Sequence, residues 1–215
     1  MTETAAGFEV VHADAHLLVL NKPSGLLSVP GKGADKQDCL SSRVQKSYPD
    51  ALVVHRLDMA TSGLMLMARG AAMQVALSKM FEMRQVHKRY VAVVDGLMNT
   101  SHEWQLIDLP IALNWPDRPL RFIDASGKPS QTRWRVLRAG SAANTTCVEL
   151  EPITGRSHQL RVHLKALGHP ILGDALYAPA AVVAKASRLL LHASALQFLH
   201  PANGEDMVFA NAPAF

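Results

Sequence analysis

Two strand-length apolar runs, Ala51–Val54 and Leu64–Ala68, flank a polar segment that closes on Gly63. Apolar runs of this length, broken by polar residues and a glycine, predict strand, loop, strand. The loop, His55-Arg56-Leu57-Asp58-Met59-Ala60-Thr61-Ser62-Gly63, sets a cation (Arg56), a carboxylate (Asp58) and two hydroxyls (Thr61, Ser62) on a frame held at both ends. Anchored loops are where binding and catalytic groups concentrate. By residue type alone, two accounts stand. Asp58, three residues before Thr61-Ser62-Gly63, has the place of a turn-former bonded to its own backbone. On the other account, the carboxylate is a chemical group presented by a rigid support.

Short apolar runs punctuated by Pro and Gly continue along the chain. Val10-Val11 and Leu17–Leu20 are expected as strands around a turn at Asp14-Ala15. The second enters Asn21-Lys22-Pro23-Ser24-Gly25-Leu26-Leu27-Ser28-Val29-Pro30-Gly31, whose Pro and Gly spacing demands fixed turns. Asp38 is expected to cap a helix from Cys39 to Ser47, with Leu40 and Val44 on one face. Gly70–Arg84 carries Met73, Leu77, Met80 and Phe81 at helical spacing, the methionines as core filler. Strands are expected at Arg89–Val94, Gln131–Leu137, Cys147–Leu150, Arg188–Leu199 and Met207–Ala210. Thr100–Arg121 is too rich in Pro for a long element and reads as a surface excursion carrying Arg118 and Arg121.

Ile153–Gly168 is the second dense stretch. Ser157 is expected as the N-cap and Gly168 as the stop of a helix burying Leu160, Leu164 and Leu167. His158, Arg161 and Lys165 then fall on a different, polar face, with Arg161 near a helix start that favours anions.

Several classes drop out on composition. Hydrophobic residues make up 48% of 215, which suits one soluble globular domain or two small ones. The residues Met1–Gly7 are polar and acidic, unlike a signal peptide, and no apolar run approaches the roughly 18 residues of a membrane span. A cytoplasmic protein without membrane contact is expected, with Cys39 and Cys147 as reduced thiols outside any C-x-x-C pattern. The net charge of +4 favours a polyanionic partner. His158, His163 and His169 lie five and six residues apart, which suits neither one helical face nor a zinc pattern, so no metal is expected.

Four stretches share one resemblance. His-Arg-Leu-Asp with Thr-Ser-Gly at 55–63 is similar to the signature loop of the RluA-type pseudouridine synthases. Asn-Lys-Pro-Ser-Gly at 21–25, Lys88-x-Tyr90 at a strand entrance and Gly-Arg-x-His-Gln-Leu-Arg-x-His at 155–163 resemble that family's other motifs, in family order. The resemblance runs from about Val10 to Ala210. It implies one α+β domain over 1–215, with 1–8 a flexible tail, a mixed, mainly antiparallel sheet and a central RNA-binding cleft. With no room before Asn21 for an S4-type domain, the chain resembles the family's short members.

The same resemblance implies the chemistry. Asp58 would be the nucleophile, Tyr90 would contact the base, and Arg161 would pair with the catalytic carboxylate. Arg56, His55, Thr61, Lys22, Lys88, Arg156 and His158 would contact RNA, Arg56 by filling the stack left by an extruded uridine and Lys22 also by framing the site. Arg133 is a further phosphate candidate. No cofactor is implied. The partners implied are structured RNAs, namely a tRNA anticodon stem-loop and a 23S rRNA hairpin, with the enzyme a monomer. Three rivals stand beside this reading: a non-catalytic RNA clamp, a glycoside or nucleoside hydrolase pairing Asp58 with Asp174, and a Ser-His hydrolase. The last lacks a Gly-x-Ser-x-Gly elbow.

Overall fold

The computed structural model describes residues 7–98, 102–139 and 144–215. Strands dominate, helices are few and short, and strand pairing is mainly antiparallel, giving an α+β fold. The chain divides into two compact units, Met1–Lys88 with His192–Ala214, and Arg89–Leu191 with Phe215.

In the first unit, β1 (Glu9–Ala13) and β2 (Leu17–Lys22) pair antiparallel across a turn made by Asp14. Its Oδ1 accepts the amides of His16 at 2.6 Å and Leu17 at 2.9 Å. Helix α1 (Leu40–Val44), β3 (Ala51–Val53), β4 (Ser62–Arg69) and α2 (Ala71–Glu82) follow. β2 and β4 are nearly continuous apolar runs because both faces are covered. Leu17, Val19, Leu64, Leu66, Leu77 and Phe198 share one core, and Met73, Met80 and Phe81 pack against it as filler.

The second unit holds a sheet of β5 (His87–Asp95), β6 (Gln105–Asp108), β9 (Gln131–Ala139) and β10 (Thr145–Pro152), plus a hairpin of β7 (Ile111–Leu113) and β8 (Arg121–Ile123). The stretch expected to be irregular therefore contains two short strands and the first residue of a third, with prolines between them. The alternation in β9 holds: Thr132, Trp134 and Val136 are buried and Arg133 is exposed. Helices α3 (Gln159–Ala166) and α4 (Ala180–Val183) complete the unit. The chain then re-enters the first unit as β11 (Leu191–Leu199) and β12 (Asp206–Ala210), which pair antiparallel.

Two helix starts differ from expectation. Asp38 does not cap α1; its carboxylate is bound by Arg43, and the Cys39 thiol accepts the Ser42 amide instead. α3 starts at Gln159, one residue later than a Ser157 cap would give, with His158 as its N-cap at a left-handed φ of 59°. Gly168 does stop α3 with a φ of +82°. Leu167, expected inside, is 36% exposed, whereas Arg161 and His163 are buried. Phe8, expected in a flexible tail, is buried beside the start of β1; residues 1–6 of that expected tail lie outside the described residues. So do Asn99–Ser101. No helix among the described residues is long and apolar enough to cross a membrane.

Candidate active site

Segments 22–28 and 55–63, far apart in sequence, lock onto each other. Four consecutive carbonyls of the polar loop each receive a hydrogen bond. The Ser28 hydroxyl donates to Leu57 O at 2.7 Å and accepts the Leu57 amide at 3.1 Å. The Thr61 amide donates to Asp58 O at 3.1 Å. Lys22 Nζ and the Gly25 amide donate to Met59 O at 3.0 and 2.9 Å, and Ser24 Oγ to Ala60 O at 2.7 Å. Asp58 is thus a half-buried carboxylate on a loop whose four carbonyls from Leu57 to Ala60 are all hydrogen-bonded.

Lys22 was expected at phosphate as well as in the frame, and the structure corrects the first. Its side chain is 0% exposed, and Nζ spends its three donors on the carbonyls of Pro23, Leu26 and Met59. Burial lowers its pKa to about 8 against the opposing field of Asp58. Thr61, at 2% exposed, is likewise turned inward rather than toward RNA.

His55 is also a frame residue. Its Nε2 accepts the Leu66 amide at 2.9 Å, and its ring stacks on Phe81 with centroids 4.4 Å apart. Burial, reinforced by the charge of Lys88, lowers its pKa to about 3, so the ring is neutral. The Lys88 ammonium lies 5.7 Å from the Phe81 centroid, with its own pKa lowered by burial and then by Arg84. Arg56 is exposed.

The far end of the loop is pinned by β11, which runs parallel to β4 with Ser62 opposite His192 and Gly63 opposite Ala193. His192 Nε2 donates to Asn211, 3.1 Å from the carbonyl and 3.0 Å from Oδ1, so its Nδ1 accepts the Ser62 hydroxyl at 2.9 Å. Gly63 has a φ of +109°, and a Cβ there would stand 2.6 Å from Ala193 N and closer still to its carbonyl.

In the second unit, Tyr90 is half-buried on β5 opposite Leu150. Arg161 is 4% exposed, off the polar face expected for it, and forms a two-pronged ion pair with Asp174 at 2.9 and 2.6 Å. Asp174 also accepts the amides of Leu176 and Tyr177. The Tyr177 ring carries the Arg161 guanidinium at 5.0 Å and the Lys165 ammonium at 5.8 Å. Its hydroxyl accepts the Arg121 amide at 3.0 Å and shares a 2.6 Å hydrogen bond with His158 Nδ1, which fixes the ring of a residue expected at RNA. Gln159 ties the turn before α3 to β9, accepting from Thr154 and Arg156 N and donating to Gln131 O and Thr132. Arg156 and Arg133 are exposed; the latter pairs with Glu151 at 3.2 Å. Among the described residues no three His, Cys, Asp or Glu side chains are grouped to hold a metal ion.

The family model for RNA pseudouridylate synthase matches residues 16–166. The chain belongs to this family. The dual-specificity RNA pseudouridine synthase RluA of Escherichia coli is 50% identical over 206 residues, covering 95% of this chain and 92% of that protein. Its namesake in Vibrio parahaemolyticus is 50% identical over 197 residues, covering 90% and 78%. Among solved structures, human RNA pseudouridylate synthase domain containing 1 superposes with a TM-score of 0.83 at 28% identity, covering 100% of this chain and 87% of that one. The protein is an RNA pseudouridine synthase, an isomerase.

For this pseudouridine synthase, motif reading found the loop and missed its support. Ser24, Ser28, His192 and Asn211 fix the Asp58 loop, and Asp174 and Tyr177 hold Arg161. A serine inside Pro-Ser-Gly or Leu-Leu-Ser is an ordinary turn residue until its distant acceptor is known. Asp174 offered one signal: a carboxylate closing the apolar run Ile171-Leu172 needs a cation if it is buried.

Proposed function

We propose that this synthase isomerises specific uridines in structured RNA, taking a tRNA anticodon stem-loop and a 23S rRNA hairpin as substrates in the cytoplasm, with Asp58 as nucleophile. The relatives named dual-specificity RNA pseudouridine synthase support a reading with more than one RNA substrate. The observation that supports Asp58 is the bonded loop: with Leu57 to Ala60 each hydrogen-bonded through the carbonyl, the backbone that presents the carboxylate is held in place before substrate arrives. Both units serve the one catalytic domain.

The rearrangement is redox-neutral. The bond from C1′ to N1 breaks, C1′ bonds to C5, the C5 hydrogen leaves to solvent and N1 gains a proton. Asp58 attacks either C6 of the base or C1′ of the ribose, a role carboxylates fill at other glycosidic centres. Tyr90 contacts the base and assists loss of the C5 proton. Arg161, a permanent cation, is the partner the family motif gives the catalytic carboxylate. The uridine is flipped from its stack at a cost of a few kcal/mol, and Arg56, exposed on the same loop, takes its place. Arg156, Lys88 and His158 contribute to RNA contact, and the enzyme works as a monomer. Pairing Asp58 with Asp174 for hydrolysis is disfavoured, because both Asp174 oxygens are committed within a buried ion pair.

The test is tritium release from RNA labelled at uridine C5, using the stem-loop, the hairpin and free uridine. Wild type should release tritium from structured RNA only. Asp58→Asn should lower release at least a thousandfold and keep RNA affinity within a few-fold, as expected for a nucleophile rather than a binding group. Binding without release by wild type would sink the assignment, and free uracil would mark a hydrolase.

A further inference from the structure

Two tryptophans of the second unit carry arginine guanidiniums on their rings, and they differ in what surrounds them. Trp104 has Arg89, Arg133 and Arg135 at 4.4, 5.2 and 4.7 Å. All three arginines are tied to Glu149 or Glu151, which closes that stack with its own counter-charges. Trp115 has only Arg118, at 4.4 Å. Its residue is 64% exposed, Arg118 is exposed too, and Arg118 has no ion pair among the described residues.

This open stack is held rigidly. Arg118 Nε donates to Trp115 O at 3.2 Å, which keeps the guanidinium over the ring. Asn114 Nδ2 donates to Asp117 Oδ2 at 3.1 Å, Leu120 N to Asp117 O at 2.9 Å and Asn114 N to Leu120 O at 3.0 Å. The β7–β8 hairpin carrying this tip is anchored at its base: Ile111 shares a core with Val162 and Tyr177, and the Arg121 amide donates to the Tyr177 hydroxyl. Tyr177 is the residue that carries Arg161 and bonds His158.

A large apolar ring kept in water by a fixed loop, with an unpaired cation beside it, matches the demands of one ligand class. Unpaired nucleobases stack on aromatic and guanidinium planes and bring a phosphate with them. We propose that Trp115 and Arg118 form a stacking platform for an unpaired base of the substrate RNA other than the uridine being converted. The proposal rests on RNA being the substrate, as argued above. Trp115 supplies the π-face and Arg118 extends it while facing the neighbouring phosphate.

The experiment measures affinity and tritium release together. Labelled tRNA anticodon stem-loop and a fully paired duplex of equal length would be titrated against wild type, Trp115→Ala, Trp115→Phe and Arg118→Ala. The expected result for Trp115→Ala is a roughly ten- to hundredfold loss of stem-loop affinity with duplex affinity unchanged. Trp115→Phe should restore most of the loss, and Arg118→Ala should weaken both RNAs and flatten the salt dependence. Equal stem-loop affinity for wild type and Trp115→Ala overturns the platform, as does an equal loss on both RNAs. Tritium release from wild type separates the two readings. Release with unchanged Trp115→Ala binding keeps the enzyme and removes the platform. Absence of release with selective loss in Trp115→Ala keeps the platform and removes the catalytic reading.

Discussion

His55 accepts the Leu66 amide on Nε2, and that role lasts only while the ring is neutral. Burial and then the Lys88 charge hold its pKa down at about 3, whereas an unfolded histidine titrates near 6.5. Between those values the unfolded chain binds a proton that the folded chain refuses, so the contribution is complete above about pH 6.5 and is lost as pH falls toward 3. By pH 5 the loss is about 2 kcal/mol, at 1.36 kcal/mol per unit. Urea unfolding should therefore show a steeper fall in stability from pH 7 to pH 5 for wild type than for His55→Gln; parallel curves would refute it. Lys22 has the same sign, in a higher pH window. Its ammonium is disfavoured by burial, so its contribution improves as pH rises from about 8 toward the unfolded value of 10.5.

At the scale of elements, the loop between β3 and β4 depends on a close approach that only glycine permits. Gly63→Ala adds a Cβ inside contact distance of the Ala193 backbone at a φ of +109°, forcing β11 away from Ser62. The expected cost is about 2–4 kcal/mol in urea unfolding, together with a loss of tritium release beyond tenfold. Wild-type turnover in that variant would mean the pin does not matter. The strands and the loop were legible because hydrophobic pattern and turn chemistry are local, as in Ala51–Val53, Ser62–Arg69 and the alternation Thr132, Trp134, Val136. The loop's importance was legible through its motif. What supports it was not, since Ser28 and Leu57 lie 29 residues apart and Ser62 and His192 lie 130 apart. Helical spacing put Arg161 on a polar face because it weighs residue type by periodicity. Asp174, 13 residues on, decides the matter by carrying a matching charge into the interior.

For the molecule as a whole, that buried pair is a costly point of failure. Asp174→Asn leaves the Arg161 charge buried with a neutral partner, which typically costs about 3–5 kcal/mol. In a chain of 215 residues the melting temperature should fall on the order of 10 °C, readable by calorimetry; a shift under about 2 °C would contradict the assigned burial. Connectivity has a consequence in time. The second unit is one unbroken stretch apart from Phe215, while the first is assembled from both ends of the chain. During synthesis the loop bearing Asp58 leaves the ribosome long before the segment that pins it, because Ser62 waits for His192, 130 residues later. At about 5–20 residues per second the delay is roughly 6 to 26 seconds. In the nascent chain the loop can already dock on residues 22–28, and the pin of Ser62 against His192 is added only when the last strands emerge.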